Sequence, residues 1–279
     1  MAMDETNNGG TRELPRSADA AALAEAATQL NSLAAFRRHE PPWVRNFDNL
    51  SHEWRRWFAE LVGTALLVGI GTGTIVAAGD RSGIPQWAMA LAWFLAVAIP
   101  IALFVRISGA HLNPAVTLAL AGSGRVAWRE AGPYWASQFA GAFVASFVVR
   151  STLGGGSHLG ATVPVHGNLF LTFVLEAAFT ALLVAAVFVL ADRGEGHGRW
   201  RLLLPPAAVG LATYVIGPLT GSSLNPARSL APAVLSGTYG DLWVYLIAVP
   251  WAALVIAALW KPKSVDIADR GPGREETTH

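Results

Sequence analysis

Two copies of one tetrapeptide carry the chemistry available to this chain of 279 residues: Leu112-Asn113-Pro114-Ala115 and, 112 residues on, Leu224-Asn225-Pro226-Ala227. A side-chain amide donates and accepts hydrogen bonds but has no proton to give up, so it suits recognition of a neutral molecule better than acid-base turnover. Each Pro stands where a helix begins, because its fixed φ suits the first turn and its missing N–H is not needed there. The Asn before it is an N-cap type. His111 lies two residues ahead of Asn113, and Arg228 follows Asn225 by three. The apolar run after each motif is only about ten residues long, too short to cross a bilayer that requires about 20 helical residues. The spacing therefore predicts half-helices over 113–121 and 225–235. An ionisable side chain in such a run costs about 2.5–3.5 kcal/mol at mid-membrane even on a lenient scale, which marks Arg228 as functional.

The elements that must position these residues read as membrane spans. The chain is 53% hydrophobic and 14% charged, with mean hydropathy +0.40, 28 Gly and 11 Trp. A net charge of +1 gives no reason to expect nucleic acid as a partner. Cysteine is absent, which removes disulfides, thiolate metal sites and thiol nucleophiles. A phosphate-binding loop with Lys, a His-Glu-x-x-His helix and a Gly-x-Ser-x-Gly elbow are also missing, so neither an enzyme, a cofactor nor a metal centre is expected.

Apolar stretches predict spans at about 57–78, 86–105, 130–149, 169–191, 202–217 and 242–260. Each half of the chain then runs span, span, half-helix, span, giving repeats over about 54–150 and 169–261. Three spans per half set the halves in opposite orientations, and inverted repeats place their site at the midplane, where broken helices meet. The small residues Gly69, Gly71 and Gly73 in the first span suggest close helix packing rather than pore lining. Arg55, Arg56, Arg125, Arg129, Arg193, Arg199, Arg201, Lys261 and Lys263 fall on one side, so the positive-inside rule puts both termini in the cytoplasm. Residues 1–53 read as a polar, flexible cytoplasmic tail with a weak Ala-rich helix over 19–36, residues 54–261 as the membrane domain and residues 262–279 as a cytoplasmic tail. A bacterial inner membrane is compatible with this compact, cationic-looped plan.

Half-helices entering from opposite faces meet with their N-termini near the bilayer centre, each contributing about half a positive elementary charge. Cations, protons included, are repelled there without a formal charge. Asn113 and Asn225 can donate to a passing oxygen, and carbonyls of the irregular backbone ahead of each motif supply acceptors.

The paired NPA boxes, the AHLNPAVT and NPARS contexts, the repeat, and Glu60 and Glu176 in the first span of each half resemble the aquaporin (major intrinsic protein) family over about residues 54–261. The resemblance implies an all-α membrane fold of six transmembrane helices and two re-entrant half-helices. It implies a passive channel for water and small neutral solutes such as glycerol, urea or undissociated metalloid acids, assembled as a homotetramer in the lipid bilayer. By the same resemblance Asn113, Pro114, Ala115, Asn225, Pro226 and Ala227 form the central boxes. Trp93, Thr213, Ser222 and Arg228 form the selectivity filter, His111 lines the pore, and Glu60 and Glu176 are buried carboxylates holding the re-entrant loops. Strict water channels of the family have His where this chain has Thr213, which favours a wider filter. Ser229, where glycerol facilitators typically have Asp, points the other way, while Tyr245-Leu246 is closer to the wider branches. A strict water channel stays open as an alternative, as do a secondary transporter using Glu60 and Glu176 and an adhesion protein with a vestigial pore.

Overall fold

The structure is a computed structural model, and it describes residues 50–79, 83–164, 167–192 and 199–260. Most of the tail expected over 1–53, the helix expected over 19–36 and the segment 262–279 lie outside the described residues. The fold is all-α. Among the described residues the eight α-helices are α1 Leu50–Ala78, α2 Gln86–Ser108, α3 Pro114–Gly122, α4 Trp128–Leu153, α5 Leu169–Ala191, α6 Leu204–Thr220, α7 Pro226–Ser236 and α8 Leu242–Leu259. Short 3-10 turns lie at Gly156–Gly160 and Arg199–Leu203. Helix α1 starts at Leu50, ahead of the expected 57, and α2, α4 and α6 each run several residues past their expected ends.

Four stretches, Glu53–Ala78, Gln86–Ser108, Leu169–Ala191 and Leu242–Leu259, are long and apolar enough to cross a membrane. Helix α6 is shorter at 17 residues, and α4 carries Arg129, Glu130 and Arg150 near its ends with Gln138 and Ser146 buried between them. The half-helices α3 and α7 have 9 and 11 residues. At about 1.5 Å per residue they are roughly 14 and 16 Å long, so end to end they match one bilayer core of about 30 Å.

The two repeats interlock. Helix α3, from the first half, packs on α8 of the second, and α7 packs on α4 of the first. Helices α2 and α6 pack on each other across the repeats. Pro218, inside α6, cannot donate to the carbonyl of Tyr214 one turn back. Gln86, at the start of α2, donates its Nε2 to Thr213 O at 2.6 Å and Tyr214 O at 3.4 Å, supplying donors where the proline breaks the ladder. At the far end, Arg125 grips Asp192 through both carboxylate oxygens at 2.6 and 2.7 Å, donates to Trp260 O and lies 3.8 Å over the Phe188 ring. This ties the segment after α3 to the ends of α5 and α8. A buried pair, Arg56 with Glu130 at 3.4 Å, joins the starts of α1 and α4.

Candidate functional site

The half-helix starts are built the same way in both repeats. Asn113 and Asn225 are extended N-caps with φ −156° and −150°, and their Oδ1 atoms accept from the N–H of Ala115 and Ala227. Pro114 and Pro226 occupy the first helical position. Ahead of each cap the backbone turns through left-handed conformations at Gly109, Ala110 and Leu112, and again at Gly221, Ser222 and Leu224. A non-glycine residue in that region costs roughly 1–2 kcal/mol, so four of them require compensation.

The compensation comes from two buried carboxylates. Glu60 accepts from Ser108 Oγ (2.7 Å), His111 N (2.9 Å), Leu112 N (2.7 Å) and Gln138 Nε2 (2.8 Å). Glu176 accepts from Thr220 Oγ1 (2.7 Å), from Ser223 N with both oxygens, and from Leu224 N (3.0 Å). Hydrogen bonds to a charged acceptor contribute about 1.5–3 kcal/mol each, enough to offset the backbone strain. Two tyrosines extend the symmetry, Tyr134 donating to Ser108 O at 2.7 Å and Tyr245 to Thr220 O at 2.6 Å.

The amide nitrogens of the caps cross the repeat. Asn113 Nδ2 donates to Leu224 O at 2.7 Å and Asn225 Nδ2 to Leu112 O at 3.0 Å. Each amide holds two N–H bonds, so the reciprocal tie uses one on each Asn.

The family resemblance implied one site for Trp93 and Arg228, and the structure brings them together, with Arg228 Cζ 4.6 Å from the centre of the indole. Arg228 is 1% exposed; its Nη1 donates to Gly160 O at 2.6 Å and its Nη2 to Gly221 O at 3.3 Å, while Nε has no protein partner. Thr213, on α6, and Ser222, beside Gly221, are buried, and neither hydroxyl has a hydrogen-bond partner. His111 holds Thr117 Oγ1 through Nδ1 at 3.1 Å and stacks 4.8 Å from Tyr134, leaving Nε2 buried without a partner. Buried polar atoms normally find partners, and these four have none among the described residues. Ser229, which replaces the Asp typical of glycerol facilitators, is buried and bonded to Ser223 Oγ (2.5 Å) and Thr162 Oγ1 (2.9 Å).

Gly160 and Thr162 are the residues sequence reasoning missed. They lie in a loop that looked featureless because it is rich in glycine and nearly uncharged. Ser157, His158 and Leu159 make a left-handed turn with φ 47°, 49° and 55°, pinned on one side by Leu159 in a pocket with Val76 and Val149 and on the other by Thr162 on Ser229. Between the pins the carbonyl of Gly160 meets Arg228. Nothing in local composition announces a contact made through a backbone oxygen. Among the described residues no cluster of His, Asp or Glu could hold a metal ion.

Residues 48–260 match the family model described as major intrinsic protein. The chain is 35% identical over 221 residues to Aquaporin NIP1-1 of Zea mays, covering 78% of this chain and 77% of that protein. It is 36% identical over 213 residues to Aquaporin NIP1-1 of Oryza sativa subsp. japonica, covering 73% and 75%. Its fold is similar to the X-ray structure of the aquaglyceroporin from Plasmodium falciparum, with TM-score 0.65 and 27% identity over 74% of this chain and 95% of that one. The curated relatives come from maize and rice, which gives no support to the expected bacterial inner membrane. An inverted pair of capped half-helices, held together by their own asparagines inside a bundle of long apolar helices, and a family match spanning most of the sequence lead to one conclusion: the chain is a multi-pass membrane channel belonging to the major intrinsic protein family.

Proposed function

We propose that the protein conducts water together with small neutral solutes of the glycerol, urea or undissociated metalloid-acid type, and that Trp93, Thr213, Ser222 and Arg228 form its constriction. The observation that carries this reading is the Trp93–Arg228 pair, an apolar face opposite a guanidinium, together with the buried, unpartnered hydroxyls of Thr213 and Ser222. A carbon backbone can slide along the indole while its hydroxyls meet Arg228 Nε and the threonine. Thr213 occupies less volume than the His of strict water channels, so the opening is wider. The likeness to a solved aquaglyceroporin supports glycerol as a permeant.

Below the constriction, the spare N–H of Asn113 and of Asn225 turn a passing oxygen toward the midplane, and His111 Nε2 offers a further partner. The converging helix starts and Arg228 repel cations and hydronium. Both oxygens of Glu60 and of Glu176 are held by loop N–H groups and neighbouring side chains, so neither of these carboxylates is free to couple proton movement to transport. The membrane domain covers 54–261, and the charge distribution puts both termini on the cytoplasmic side. Four protomers, one pore each, follow from the family resemblance.

Stopped-flow light scattering on proteoliposomes tests this. Rapid shrinkage under an impermeant osmolyte and rapid re-swelling under glycerol, both lost in a folded Asn225→Leu variant, support the reading. Rapid water flux without glycerol flux makes it a strict water channel, and uphill accumulation driven by a pH gradient makes it a transporter.

A further inference from the structure

The width of the constriction is set from behind Trp93. A Cβ placed on Gly71 of α1 would lie 2.5, 2.6 and 2.7 Å from Cη2, Cζ3 and Cζ2 of the Trp93 indole. These three ring atoms are its nearest neighbours, so the ring edge rests directly on the glycine. The contrast with Gly141 on α4 is informative. A Cβ there would meet the backbone oxygen of Leu61 at 2.2 Å, which is helix-to-helix packing. Gly69 and Gly73 tolerate a Cβ, with nearest neighbours at 3.7 Å. Of the four glycines of α1, only Gly71 touches the side chain that faces Arg228; a Cβ on Gly63 would meet Leu112 at 2.4 Å instead.

The internal repeat adds a second argument. Taking Glu60 and Glu176 as the shared reference point, the residue eleven places on is Gly71 in the first half and Val187 in the second. The architecture of a first span therefore accepts a β-branched residue at this level. The glycine belongs to the half that carries the tryptophan.

We infer that Gly71 is a positioning residue that lets the Trp93 ring lie back against α1 and so keeps the channel open to solutes larger than water. This rests on the wide-constriction reading above and names what produces the width. Trp93 is 4% exposed in a close-packed interior with the Arg228 guanidinium over its ring, so a new methyl group at the ring edge has to shift the indole relative to Arg228. The methyl group requires a shift of nearly 1 Å to reach ordinary contact distance.

The test is a double-variant cycle in proteoliposomes with Gly71→Ala, Trp93→Phe and the pair, measuring glycerol and water permeability of the full-length protein. Phenylalanine lacks the far ring edge that meets Gly71. Gly71→Ala is expected to lower the glycerol-to-water ratio at least about tenfold, equivalent to ~1.4 kcal/mol of added barrier, and to leave the ratio unchanged in the Trp93→Phe background. Equal loss of both fluxes, the same loss in both backgrounds, or no change at all would overturn the inference. Should Gly71→Ala fail to fold, recovery of folding by the added Trp93→Phe supports the contact, and failure in both backgrounds overturns it. If the parent passes no glycerol, the wide-constriction reading fails on its own. The cycle is then read on water, where loss with tryptophan and none in the Trp93→Phe background still supports Gly71.

Discussion

Replacing each buried glutamate by glutamine should separate the two repeats, although the substitutions are chemically identical. In Glu176→Gln the new amide can occupy the position that now accepts from Thr220 Oγ1. The threonine hydroxyl can turn to donate to Ile216 O, already 3.2 Å away, and accept from the amide; Ser223 N–H gives up its 2.9 Å bond to the replaced oxygen but keeps the 3.1 Å bond to the remaining one, which also keeps Leu224 N–H. In Glu60→Gln neither orientation works. One places the NH2 against His111 N–H, and the other against Leu112 N–H and Gln138 Nε2. Gln138 could turn its unpartnered Oε1 inward, but only by giving up its 2.9 Å bond to Thr117. Both variants lose charge assistance; Glu60→Gln alone also orphans a buried backbone N–H. That costs about 1–3 kcal/mol, roughly a five- to hundredfold larger shift toward unfolding. Denaturant titration of the purified protein in detergent, followed by tryptophan fluorescence, reads the difference directly. A Glu176→Gln variant as unstable as Glu60→Gln, or more so, would refute this account of the two carboxylates.

Three further outcomes are expected. Thr213→His should reduce glycerol flux more than water flux, and equal losses in the same liposome assay would remove Thr213 from the constriction. Thr162→Val removes one neutral hydrogen bond to Ser229, about 1 kcal/mol, so amide exchange at Ala161 should rise roughly fivefold, with Thr162→Ser restoring protection. Unchanged exchange would mean that Leu159 alone holds the loop. Mercurial thiol reagents should leave water flux unaffected at concentrations that block cysteine-bearing channels, because the chain contains no cysteine; inhibition would reveal a different target.

The repeat, the helix order and both half-helix starts were legible because they rest on local chemistry: proline at a first turn, asparagine as a cap, apolar runs of two distinct lengths. Trp93 and Arg228 could be paired because the family spacing carries them. Three features were hidden, each for a physical reason. The carbonyl of Gly160 is a backbone atom, which every residue possesses, so its aim at Arg228 depends on a left-handed turn that composition does not reveal. The role of Gln86 arises only because α6 breaks its own ladder at Pro218, on a helix more than 120 residues away in sequence. Gly71 looked like its neighbours Gly69 and Gly73, and only a neighbouring indole sets it apart.

The reciprocal bonds between Asn113 and Leu224 and between Asn225 and Leu112 also bear on how the protein is made. A ribosome adding about 5–20 residues per second takes on the order of ten seconds to travel from the first motif to the second. Throughout that interval Asn113 has no acceptor for its amide, and α3, nine residues long, cannot cross the bilayer by itself. The first half-helix must therefore wait near the aqueous edge and enter once its counterpart emerges. Completion of the pore is then a late assembly step that joins two halves already inserted, and a first half expressed alone would reach the membrane with Glu60 on its loop but without the bond from Asn113 across the repeat.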